Sequence, residues 1–134
     1  MAQSDIEREL YGGKYLTVGP IPDALVATTD TEAVIAVIQV PENLELERVV
    51  VGVLTSTGAG DGITIRVREA SLTGRVLGSV ALVTAGAGPE GACGIKVSEQ
   101  LDACELIVVT SKLLAAGDDF TGVIVTLVVE PLKS

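Results

Sequence analysis

The stretch Ile63-Thr64-Ile65-Arg66-Val67-Arg68-Glu69 alternates apolar and polar side chains up to its last two residues. Successive side chains of a strand point to opposite faces, so Ile63, Ile65 and Val67 are predicted to face a core and Thr64, Arg66 and Arg68 to face outward. Working outward, residues 56–62 (STGAGDG) read as a loop, and residues 46–55 as a strand with Val49, Val51 and Val53 on one face. Further strands are predicted at 14–18, 33–40, 76–84, 94–98, 105–111 and 122–130, about eight in all. Prolines 20 and 22 remove backbone donors, so Gly19-Pro20-Ile21-Pro22-Asp23 is expected to end the first strand. Turn signals recur every 8–12 residues, the spacing of sandwiches and barrels. After residue 13 no segment has a 3.6-residue period, which argues against crossover helices and a parallel sheet. The expected fold is all-β: an antiparallel β-sandwich, of which the jelly roll is one form.

Two predicted strands are apolar on both faces. Residues 49–54 and 123–129 carry aliphatics at odd and even positions, and the mean hydropathy of the chain is +0.53. A sandwich buries only the inner face of each strand, so the outer aliphatics need a loop, the N-terminal segment or a neighbouring subunit as cover. Ordinary monomers expose few large apolar patches, which favours the subunit. No apolar run reaches membrane-spanning length, and the uncharged stretch 76–89 is broken by three glycines.

The inventory is poor in catalytic groups. There is no histidine or tryptophan, and the only aromatics are Tyr11, Tyr15 and Phe120. General acid–base work would fall to carboxylates, tyrosines, lysines or cysteines, and no carboxylate pair stands out. A formal charge of -9 with scattered Lys and Arg argues against nucleic acid and against an anionic membrane surface. The loop Gly58-Ala59-Gly60-Asp61-Gly62 has no lysine and is followed by a strand, so it forms no phosphate cradle. Asp118 and Asp119, even with Asp61 or Asp30, lack EF-hand spacing and read as a turn. Two cysteines without histidine cannot close an ordinary zinc site. A hairpin of 93–99 with 105–112 would hold Cys93 and Cys104 apart, which favours buried free thiols over a disulfide. The expectation is a protein without catalytic residue, cofactor or metal.

Residues 1–13 read as an arm and 14–134 as a single β-domain. In the arm, Ser4 and Glu7 have capping-box spacing, and Ile6 and Leu10 share one face of a short helix ending at Gly12-Gly13. So short a helix is marginal alone, leaving two readings: a docked segment or a loose terminus. The opening MAQSDIEREL has acidic residues where a signal peptide would be basic. Ile6, Leu10, Tyr11 and Tyr15 are the candidate partner-binding residues, because interface hot spots are enriched in tyrosine.

Several stretches together resemble small β-sandwich proteins of tailed-bacteriophage virions, the capsid decoration or cement proteins. They are Val40-Pro41-Glu42, Val49-Val50-Val51-Gly52-Val53, Ser56-Thr57-Gly58-Ala59-Gly60 leading into Ile63-Thr64-Ile65-Arg66-Val67, and Gly117-Asp118 before Gly122-Val123-Ile124-Val125-Thr126-Leu127. They span roughly residues 33–130. The resemblance implies a non-enzymatic protein on the capsid exterior, made in the host cytoplasm, with the major capsid protein and its own copies (a homotrimer) as partners. Rival readings are another virion component (tail, head-fibre or shell protein) and a bacterial ligand-binding or adhesin domain. The latter would call for a signal peptide and surface aromatics.

Overall fold

The computed structural model describes residues 14–22, 31–57, 62–83, 89–114 and 119–132. Ile6, Leu10 and Tyr11 lie outside them, as do Asp30, Asp61 and Asp118. Among the described residues the regular structure is all strand, and the ladders are antiparallel throughout. One sheet runs β1 (Lys14–Ile21), β11 (Val123–Pro131), β3 (Leu44–Val53), β7 (Glu90–Cys93), with β8 (Glu99–Leu101) also paired to β3. The second runs β2 (Ala33–Gln39), β9 (Leu106–Leu113), β5 (Gly62–Glu69), β6 (Val76–Val83). A two-stranded ribbon of β4 (Thr55–Thr57) and β10 (Asp119–Thr121) accompanies them.

β7 and β8 lie along the same edge of β3. Val53 pairs Glu90 and Leu44 pairs Leu101, and Gly94 and Val97 donate backbone hydrogen bonds to Val49 and Glu47 between them, at 2.8 and 2.7 Å. Counted as one interrupted strand, they leave eight principal strands in the orders 1-8-3-6 and 2-7-4-5. That is the jelly-roll topology, two Greek keys closed face to face.

The alternation at 63–69 is realised: Ile63, Ile65 and Val67 are fully buried between the sheets, as are Val49 and Val51, with Val53 nearly so. β3 also carries a bulge. Val128 pairs Arg48 whereas Val129 pairs Leu46, so Glu47 is the extra residue. A bulge shifts the side-chain phase by one position. Leu46 and Val49, three apart, therefore both point into the core.

Three expectations need correction. The strand at 94–98 is instead the interruption between β7 and β8, and the hairpin of 93–99 with 105–112 does not form. β7 and β8 pair β3, whereas β9 pairs β2 and β5 in the other sheet. The reason lies in β9: Ile107 and Val109 face the core, while Val108 and Thr110, on the opposite face, are also buried. A strand buried on both faces belongs in the middle of a sheet, not at the tip of an edge hairpin. Thirdly, β1 does not stop at Val18. It passes through Gly19-Pro20 with a register shift and resumes pairing at Ile21, which is buried. Gly19 makes this possible: its φ is +125°, and a Cβ there would stand 2.7 Å from the carbonyl oxygen of Val123.

Candidate interaction surface

The outer face of the first sheet holds the one sequence-predicted partner residue that the structure describes. Tyr15, on edge strand β1, is 68% exposed. It pairs Val128 on β11, Val128 pairs Arg48 on β3, and Val50 on β3 pairs Cys93 on β7. These side chains, with Lys96 beyond β7, line an open trough of about 400 Å³ that crosses the strands. Val50 and Val128 are half-buried; Arg48, Cys93 and Lys96 are exposed. Glu47 forms part of the wall and meets Lys96 at 4.0 Å. Desolvation, and then the nearby charge of Glu130, push the Glu47 carboxyl above its ordinary pKa. Arg48 has no ion-pair partner among the described residues.

Glu47 reaches this face because of the β3 bulge, beside Arg48, which alternation from Val49 already turns outward. Sequence reasoning missed Glu47: regular alternation continued back from Val49 sends it inward, and only the pairing register reveals the extra residue. Cys93 was expected to be buried, and so was Cys104. Both are exposed and free. Cys93 ends β7 on the first sheet, while Cys104 sits at φ 71° in the turn entering β9, its N–H donating to Val40 at 2.7 Å. The thiols are apart because they belong to different elements, not because of the expected hairpin register. Intact mass before and after reduction is expected to be identical; a gain of two protons per chain would show that they pair.

The outer face of the second sheet is built differently. Val34, Val37 and Leu106 are exposed there, at 39%, 59% and 51%. Beside them Glu32 accepts hydrogen bonds from Arg66 (2.6 Å), Arg68 (2.6 and 3.0 Å) and the Thr110 hydroxyl (2.7 Å). Arg68 also donates to the Gly74 carbonyl at 2.9 Å. The outward arginines of the alternating stretch thus hold the residue just ahead of β2 against the middle of the sheet. The hydrogen bond from Arg68, aided by Thr110 and the two positive charges and opposed by desolvation, lowers the Glu32 carboxyl to about 2.

Among the described residues no group of three or more Asp, Glu or Cys could hold a metal ion. Among the described residues no helix is long and apolar enough to cross a membrane.

No family model and no curated protein matches the sequence. Solved structures of similar shape include a chain of the Bacillus endospore appendages, which form a family of disulfide-linked pili. It has a TM-score of 0.46 and 15% identity, over 90% of this chain and 88% of that one. Another is Eiger TNF from S. frugiperda, with a TM-score of 0.42 and 13% identity, over 92% and 88% of the two chains. A third is a chain of the cyanophage Pam1 capsid asymmetric unit, with a TM-score of 0.39 and 16% identity, over 90% and 82%. Each is a distant likeness of shape.

Proposed function

We propose that this chain is a non-enzymatic structural protein of a phage virion that attaches to the outside of the capsid, with the major capsid protein and further copies of itself, as a homotrimer, for partners. The observation that carries the reading is the distribution of apolar surface. Besides a filled core, the chain keeps Tyr15, Val34, Val37, Leu106 and Ile124 exposed on the outer faces of its two sheets. The described residues offer such surfaces for contact. On a closed shell each copy adds buried area across a boundary between shell subunits. Bound copies then stabilise the assembled state by mass action, and weak contacts sum over the lattice.

Purified protein is expected to bind undecorated phage heads at saturable stoichiometry and to raise their resistance to heat. Absence of binding would refute the reading. Removing residues 1–13 is expected to keep the β-type circular dichroism spectrum while weakening attachment by about tenfold or more, the equivalent of about 1.4 kcal/mol. The segment carries Ile6, Leu10 and Tyr11, and burying one such side chain is worth about 1.5–3 kcal/mol before ordering costs. Unchanged attachment would remove the arm from the contact, and a lost β signal would make it part of the fold.

A further inference from the structure

We infer that the trough on the first sheet is the docking site for this chain's own N-terminal segment, residues 1–13, which folds back over it in the same molecule when the protein is free. The inference goes beyond the capsid reading and does not rest on it.

Three observations choose the occupant. The first is position. The trough begins at Tyr15 on an edge strand, and the segment joins the sheet at Lys14, one residue away. Any competing peptide would have to displace a tethered one, whose effective concentration is in the millimolar range for a short flexible connection. Gly12-Gly13 precedes β1 in the sequence, and glycine tolerates the dihedrals of a tight reversal.

The second is length. The trough crosses β1, β11, β3 and β7, and three strand spacings amount to about 14 Å. Five extended residues cover about 16 Å, so Glu7 to Tyr11 is enough chain to cross from wall to wall. The third is chemistry. The trough has an apolar floor of Val50 and Val128, with Arg48 and Lys96 exposed on its walls, opposed by Glu47 in the lining and by Glu130 close to it. The segment carries Asp5, Glu7 and Glu9 against a single Arg8, interleaved with Ile6 and Leu10. Arg48, which has no ion-pair partner among the described residues, offers the acidic stretch a counter-charge, and the apolar floor suits its interspersed aliphatics. The segment would also cover the outward Val50 and Val128, the residues whose exposure the doubly apolar strands raised as a question.

Cys93 reports on this directly, because it lines the trough and its thiol is exposed when the trough is open. With Cys104→Ser removing the second thiol, the rate of Cys93 modification by an aromatic disulfide reagent is measured on the free protein at several concentrations. The full-length chain is expected to react at least tenfold more slowly than a variant lacking residues 1–11, at every concentration. Arg48→Glu with Lys96→Glu in the full-length chain is expected to restore the fast rate, which covers the case of a truncation that folds poorly. Equal rates in all three proteins would overturn the proposal. Protection that grows with protein concentration would also overturn it, by showing that the segment of a second copy fills the trough. No phage particle enters the assay, so its failure is separable from failure of capsid attachment.

Discussion

Replacing Phe120 by alanine is expected to lower the stability of the domain by about 3–5 kcal/mol, a large share of what a domain of this size has in total. Phe120 is 1% exposed and the bulkiest of the fully buried side chains. It projects from β10, whose partner β4 follows β3 after a single residue, Leu54, which itself donates a backbone hydrogen bond to Thr121 at 2.9 Å. The ribbon and its phenylalanine therefore continue the core beyond the end of β3. The rest of that core is aliphatic and largely β-branched, with restricted rotamers, so it has little means of collapsing into the space left behind. Urea unfolding with an unchanged m-value would confirm a loss of packing rather than a change of fold. Tyr15→Ala is the matched control, expected to change stability by less than about 0.5 kcal/mol because its ring is outside the core. A loss below about 1 kcal/mol for Phe120→Ala would show that the ribbon is not part of the cooperative unit.

Most of the sandwich was legible from period-two patterning, and the exceptions have a common cause. Ile63, Ile65, Val67, Val49, Val51 and Val53 took the faces that their alternation assigns. Reading went astray where pairing, not pattern, decides. The segment 94–98 is apolar at alternate positions like a strand, yet the chain is two residues too long there to keep one register against β3. Residues 105–111 look like the return arm of a hairpin, and only their double-sided burial shows that they cross to the other sheet. Glycine and proline at 19 and 20 signal a break in isolation, but the ladder with β11 resumes one residue beyond them. The trough was invisible for the same reason: it needs a bulge at Glu47 and a register across four strands, neither of which is encoded locally. The exposed tyrosine was the one part of it that composition singled out.

Glu32→Gln is expected to cost about 2–3 kcal/mol at neutral pH, and the cost is expected to vanish in acid. Its carboxylate, with 16% of the side chain exposed, faces Arg66, Arg68 and Thr110, and its pKa falls from 4.5 to about 2. A depressed acid pKa means that the unfolded chain takes up the proton first as pH falls. The stabilisation is therefore fully present above about pH 4.5 and is lost progressively as pH falls toward 2. At 1.36 kcal/mol per pKa unit the full depression corresponds to a little over 3 kcal/mol, and partial solvent screening brings the expected value to about 2–3. Glutamine retains an acceptor for Thr110 but leaves two guanidinium groups facing each other without a counter-charge. Arg68→Lys tests the geometry separately, because lysine keeps the charge yet loses the forked pair of hydrogen bonds at 2.6 and 3.0 Å and the bond to Gly74. The measurement is urea unfolding of the native chain and both variants at pH 7, 5 and 3. The native–Gln difference should be equal at pH 7 and 5 and clearly smaller at pH 3. A difference that stays constant to pH 3 would mean that neutral hydrogen bonding and packing, rather than the charge on Glu32, hold the outer face of the second sheet together.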